Sequence, residues 1–230
     1  MTHAPHPASL FMSRRALADR LGLAADERRI LARLTTPAKI QDFVSALPAN
    51  FERQGGTCLS VRETLRQRRA HCIESAFVAA VALWLNGEKP LLMDLQASKD
   101  DDDHVVTLFR RDGCWGAISK SNHVWLRWRD PVYRSLRELA MSYFHEYTRH
   151  DRKTLRAHSL AIDLRRVDPA LWVTNDDNCW EVAGMLDDAR HFRLVTPTQA
   201  RQLRRRDRLE MRANDLRQYR APDKDSAERY

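Results

Sequence analysis

Residues Cys72 to Leu85 constrain this chain more than any other stretch. They read Cys-Ile-Glu-Ser-Ala-Phe-Val-Ala-Ala-Val-Ala-Leu-Trp-Leu and are apolar nearly all round. A helix with no polar face must be buried on every side, so the rest of the chain has to wrap it. Asn86-Gly87 supplies the stop. The unbroken apolar run, Phe77 to Leu85, is nine residues, well short of the ~20 that a membrane-spanning helix needs. A buried central helix is therefore expected.

The flanking sequence predicts its wrapping. Leu17, Leu21, Leu23, Ile30, Leu31 and Leu34 recur at helical spacing, with a break near Gly22. Thr36-Pro37 caps a helix that carries Ile40, Phe43, Val44 and Leu47 and stops at Pro48. Ser60-Val61-Arg62-Glu63 is a capping box for a short helix to about Arg69. After the central helix the period changes. Pro90–Leu95, Val105–Arg111 and Cys114–Ser119 read as strands, and Asp112-Gly113 is a two-residue hairpin turn. Val124–Arg129 alternates and reads as a strand. Asp130-Pro131 reads as the cap of a helix to about Tyr147, Leu160–Leu164 as a strand, and Asn178–Arg190 as a helix. Trp125 and Trp128 are expected in the core. The fold class is α+β: a buried helix packed on an antiparallel sheet, with flanking helices.

At 230 residues the chain has room for one substantial domain. Residues 1–12 are expected to be disordered. Residues 13–195 are expected to form one domain, with a core at 36–150 and an N-terminal helical extension. Residues 196–230 should be an Arg-rich helix and polar tail. The four cysteines, Cys58, Cys72, Cys114 and Cys179, stand singly. They form no CxxC pair and no zinc box. Neither a signal segment nor a membrane span is read, so a reduced, cytoplasmic protein is expected, with no metal and no cofactor. Seven glycines and no glycine-rich phosphate loop argue against nucleotide chemistry.

The net charge of +8 admits acidic partners, including nucleic acid. Its densest point is Arg204-Arg205-Arg206. Yet acids alternate with bases at helical spacing there, and no aromatic residue interleaves before Tyr219, so a solvated helix is favoured over a nucleic-acid surface. The acidic run Asp100 to Asp103 reads as a solvated loop.

Chemistry concentrates at the start of the buried helix. Cys72 stands where a loop enters it, and the positive end of the helix dipole stabilises thiolate, the nucleophilic form. Free N–H groups at that end can bind an oxyanion. His104 opens the first hairpin strand and is placed to act as a general base. With a two-residue turn Arg111 pairs with Cys114, so His104 faces Ser121 and Val106 faces Ser119. Ser119 then shares the His104 face, and Asn122 points away unless a bulge reverses the parity. His71 is expected to project to solvent, and Cys114 to lie opposite the His104 face.

Three segments carry a resemblance: Thr64 to Ala76 around Cys72, Asp103-His104-Val105-Val106, and Asp112 to Ser119. This order of helix-start Cys, strand His and a third residue on the next strand resembles the transglutaminase-like superfamily, over roughly residues 60–120. The resemblance implies a papain-like Cys-His fold and thiol chemistry on amides. It departs at the third position, where Ser119 stands four residues after Trp115 in place of the family's Asp. Papain-like enzymes use a neutral Asn as orienter, and Asn122 is three residues along. Cys72–His104–Ser119, Cys72–His104–Asn122 and a broken triad all remain open at this point. The expected function is acyl transfer or hydrolysis on an amide or peptide bond of a protein or peptide substrate. The alternative is an inactive domain of the same fold that binds protein or nucleic acid.

Overall fold

The computed structural model describes residues 13–52 and 55–220. The segment expected to be disordered, 1–12, and the last ten residues of the tail lie outside the described residues. Along the chain the helices are α1 (Arg14–Arg20), α2 (Ala25–Leu31), α3 (Pro37–Ala46), α4 (Val61–Gln67) and α5 (Cys72–Leu85). Strands β1 (Leu91–Ala97), β2 (His104–Arg111), β3 (Cys114–Ile118) and β4 (Arg129–Tyr133) follow. Then come α6 (Leu136–Met141), β5 (Thr148–Arg149), β6 (Arg152–Lys153), β7 (Leu155–Ser159), β8 (Ile162–Asp163), α7 (Trp180–Asp187), β9 (His191–Arg193), α8 (Pro197–Gln202) and α9 (Arg208–Asn214). The main sheet has the order β4-β3-β2-β1-β7-β9, with β8 also paired to β1. These pairings are antiparallel. The architecture is α+β.

Every residue of α5 from Ile73 to Leu85 is buried. Helices α1, α3 and α4 cover its outer sides, and β1 and β2 lie beneath it. Strand β2 is buried on both faces as far as Phe109. Val105 and Phe109 face the core built around α5, whereas Val106 and Leu108 face a second core with Leu139, Tyr143 and Tyr147. One buried polar contact sets the two elements in register: Thr107 Oγ1 donates to the Ala76 carbonyl at 2.9 Å. Thr107 is three residues beyond His104, and Ala76 is four beyond Cys72. The opening residues of β2 and α5 are thereby brought to the same end of the layer.

The hairpin follows its turn chemistry. Asp112 and Gly113 take φ of 49° and 81°, the positive values that a two-residue turn requires. Arg111 pairs with Cys114 and Thr107 with Ile118. In the middle of β3, Gly116 leaves room for its neighbours. An added Cβ would run into the Phe109 ring and come within 2.9 Å of the Arg129 carbonyl oxygen.

Several expectations are corrected. Val124–Leu126 is a single 3-10 turn rather than a strand, and Trp125 there is 48% exposed rather than in the core. Asp130-Pro131 lies within strand β4 and caps no helix. Strand β4 ends the sheet, and an edge is where a residue without an N–H can sit. Helix α6 instead begins at Leu136, with the Ser135 side chain accepting from the Glu138 amide. The strand expected at Leu160–Leu164 is reduced to β8, and β7 precedes it. The Arg-rich segment is two short helices. Between them Arg205 pairs with Asp151, and Arg206 donates to Thr148 Oγ1. No helix among the described residues is long and apolar enough to cross a membrane.

The crowding at Gly116 gives a direct test. Gly116→Ala should destabilise the protein by about 1–3 kcal/mol, read as a lowered melting temperature. Gly184→Ala, on the exposed side of α7 with nothing within 4 Å of the added Cβ, should not lower it.

Candidate active site

Cys72 is the first residue of α5, so its amide is among those with no carbonyl a turn behind to receive them. His71 precedes it as the N-cap residue. The His71 ring does not project to solvent as expected. Its Nε2 lies 2.8 Å from the Thr57 carbonyl oxygen, which can only accept, so Nε2 carries the N–H. Glu74 Oε1 lies 3.2 Å from the same nitrogen and Glu52 Oε1 3.6 Å. The other nitrogen, Nδ1, faces Cys72 Sγ at 3.9 Å.

Glu74 fixes this end of the helix. Its carboxylate has no exposed surface. It accepts from Asn50 Nδ2 at 3.1 Å, Thr57 Oγ1 at 2.7 Å, the Leu59 amide at 3.1 Å and the His71 amide at 2.9 Å. The last of these is the reach-back of a capping box. A histidine at the cap with a glutamate three residues on is the signal from which this pair could have been read.

His104 opens β2 on the other side of the thiol. Its Nε2 lies 3.1 Å from Ser119 Oγ and 3.1 Å from the Leu126 carbonyl oxygen. Ser119 Oγ donates its single proton to that same carbonyl at 2.6 Å. The serine therefore accepts from the imidazole, and Nε2 again carries the N–H. Nδ1 is left as the ring nitrogen available to Cys72. Both Ser119 and His104 are buried.

Asn122 does not join this group. Its side chain donates to the Tyr219 carbonyl at 2.9 Å and accepts from the Tyr219 amide at 2.8 Å, which pins the C-terminal segment. It does line the pocket. That pocket, about 260 Å³, is bounded by His71, Cys72 and His104 on one side, and by Asp101 to Asp103, Lys120 to His123, and Tyr147 on the others. The other thiols lie apart. Cys58 and Cys179 are buried together, with Cys58 Sγ 3.6 Å from the Cys179 carbonyl oxygen. Cys114 is half-buried at the hairpin turn. A further pair, His191 Nε2 with Asp94 Oδ2 at 3.0 Å, lies across β1. Among the described residues, no group of three or more His, Cys, Asp or Glu is placed to hold a metal ion.

Charge is distributed unevenly around the sulfur. Burial opposes ionisation of Cys72, but hydrogen bonds and charge from His104 and His71 outweigh it and hold the thiol well below its usual range. Burial also opposes charge on His71, yet contacts with Cys72 and Glu74 raise its pKa to about 11. Burial would raise Glu74 as well, but His71 and Thr57 bring it down to about 2. These shifts favour the charged form of all three groups along the first turn of α5. No protein-family model matches this chain, and no curated protein matches it.

Glu74 gives an acid-stability prediction. Its folded pKa of about 2 is below the ordinary 4.5. The charged carboxylate therefore stabilises the fold above pH 4.5, and that contribution is lost as the pH falls from there toward 2. Glu74→Gln should cost on the order of 3 kcal/mol at pH 7. Urea titrations repeated at falling pH should show the gap between wild type and variant closing across that window.

Proposed function

We propose that the protein is a thiol-dependent enzyme, built on a transglutaminase-like fold, that transfers or hydrolyses the acyl group of an amide or peptide bond. The observation that carries this reading is a cysteine at the start of a buried helix, with His71 Nδ1 3.9 Å from its sulfur and the His104 ring, held through Nε2, interacting with the same thiol. A helix-start cysteine beside an antiparallel sheet with histidine on one strand and its partner on the next supports the fold.

The roles of the two histidines divide by charge. At neutral pH His71, with its pKa near 11, keeps its proton, so it holds the thiolate rather than shuttling a proton. His104, whose Nε2–H is met by a hydroxyl and a carbonyl, is the proton carrier. The Cys72 sulfur attacks the substrate carbonyl carbon, and the Cys72 amide receives the developing oxyanion. The carbon–nitrogen bond breaks, and the leaving nitrogen takes the proton that His104 removed from the thiol. This leaves a thioester on Cys72. Water or an amine then attacks the thioester, His104 Nδ1 takes the attacking group's proton, and the sulfur departs as the thiolate, leaving His104 protonated for the next leaving nitrogen. Ser119 and the Leu126 carbonyl keep the ring in the orientation that serves both steps.

Variants separate these roles. Cys72→Ser should abolish turnover of any thioester or amide substrate and leave the fold intact. His104→Ala should lower kcat about 10²- to 10⁴-fold. Ser119→Ala should lower it by about tenfold, because it removes an orienting group and no charge. His71→Gln should raise the pH at which Cys72 ionises by at least ~1 unit, slowing its reaction with iodoacetamide at pH 6 about tenfold. If no such substrate turns over, and Cys72 alkylates no faster than Cys58, Cys114 or Cys179 in the native protein, the domain is a binding module.

A further inference from the structure

Lys120 is the charged group in the pocket that this chemistry leaves unused. It directly follows Ser119, lines the pocket together with Cys72 and His104, and is only 3% exposed. Its Nζ donates to the Leu47 carbonyl, and the Tyr219 ring centre lies 5.4 Å away. An ammonium has three N–H donors, and among the described residues only one meets an acceptor. Among the described residues no carboxylate is paired with it. Burial first, and then the like charge of Arg127, lower its pKa to about 8. A buried cation left without a counter-ion is a net cost to the fold.

Four acids share the pocket, Asp101, Asp102, Asp103 and Glu146; none of them is paired with Lys120, and Asp102 is exposed. Asp101 accepts from Thr154 Oγ1 at 2.5 Å and faces Arg149 at 3.6 Å. Asp103 accepts from the Ala97 amide at 2.7 Å. Glu146 pairs with Arg129 at 2.7 Å. The wall that carries Cys72 thus also carries a desolvated ammonium with spare donors, and among the described residues no carboxylate is paired with it.

We infer that Lys120 is a carboxylate-binding subsite, so the acyl donor taken by Cys72 carries a carboxylate that completes the ion pair. The inference rests on Cys72 as the nucleophile and adds the charge class of its substrate. Either a free main-chain carboxylate or an acidic side chain would supply the same chemistry. A desolvated ammonium favours such a group because the contact is charge-assisted and is not shared with water.

Alkylation of the full-length protein tests this without a known substrate. Cys72 is modified with iodoacetate and with iodoacetamide, and with 3-iodopropionate and 3-iodopropionamide. Taking each acid against its own amide cancels intrinsic reactivity. The acid-to-amide rate ratio should be higher in the wild type than in Lys120→Met by about tenfold for at least one chain length, with the iodoacetamide rate itself unchanged. Equal ratios in the two proteins would overturn the inference. Lys120→Met should also melt no lower than the wild type, since it removes a buried charge. If it fails to fold, Lys120→Gln is read in the same way.

Two further arms keep the outcome distinct from that of the nucleophile reading. In a Cys72→Ser background, N-acetylalanine and the α-amide of N-acetylglutamate present a main-chain and a side-chain carboxylate respectively. Whichever raises the melting temperature should lose that effect when Lys120→Met is added. Shifts that survive the substitution would overturn the inference, even if Cys72 proves unreactive. Neutralising Asp223, Asp225 and Glu228 to Asn, Asn and Gln should leave the alkylation ratios unchanged. A rise would make the chain's own C-terminal acids the partner of Lys120 and would also overturn it.

Discussion

A carboxylate with no exposed surface has to be met by donors at both oxygens, and Glu74 is met from three separate parts of the chain. Asn50 reaches it from the segment after α3, Thr57 and the Leu59 amide from the loop before α4, and the His71 amide from its own helix cap. Removing any one donor leaves part of a buried charge unanswered, which costs more than an ordinary hydrogen bond. The entry loop, the cap and the first turn of α5 are therefore fixed together. Cys72 lies between His71 and Glu74 in sequence, so the network that fixes the cap also places the sulfur, which His71 Nδ1 faces at 3.9 Å. The Thr107–Ala76 contact then carries that position across to β2, where His104 begins.

The legible parts of the fold were those whose signals are local. Helix α5 declared itself through an apolar run with a glycine stop. The hairpin did so through Asp112-Gly113, whose backbone needs positive φ at both positions, and that turn alone fixes which β3 residues share the His104 face. Ser119 beside His104 follows from that register. The β4 region was misread because Asp-Pro is a helix-start signal only when the next residues have a core to pack on. Here Arg129–Tyr133 pairs with β3, and Ser135 makes the cap. Trp125 reads as core by residue type, but a one-turn 3-10 segment on the rim turns it outward.

The less legible part of the site depends on contacts between distant residues. His71 is held by the Thr57 carbonyl, which no periodicity places there. Asn122 was a reasonable partner for the histidine by distance along the chain, but the backbone of Tyr219 takes both ends of its amide. Lys120, just past a strand, carries no local signal of burial. It is buried because Leu47 from the end of α3 and Tyr219 from the C-terminal segment close over it. Each of these depends on where a remote segment packs, information that pairwise spacing does not contain.

The uncharged partner of His104 is consistent with how charge is arranged on the other side of the sulfur. A carboxylate beside an imidazole does two things: it orients the ring, and it stabilises the ring's positive form. Ser119 and the Leu126 carbonyl can do only the first. At Cys72 the second task falls to another pair, because the His71 imidazolium, balanced by Glu74, lies against the thiol and favours its ionised form. In the proposed mechanism, with His71 favouring its charged form, a buried acid beside His104 would add a second positive charge next to the sulfur. A carboxylate at position 119 would also stand within reach of the Leu126 carbonyl oxygen, setting two acceptors against each other where Ser119 is buried. The serine answers both constraints: its one proton goes to the carbonyl, and its lone pair takes the imidazole N–H. On that reading, the serine at 119 and the His-x-x-Glu cap at 71–74 are two halves of one charge arrangement. The helix side favours the Cys72 thiolate through His71, and the sheet side holds the His104 ring by uncharged partners.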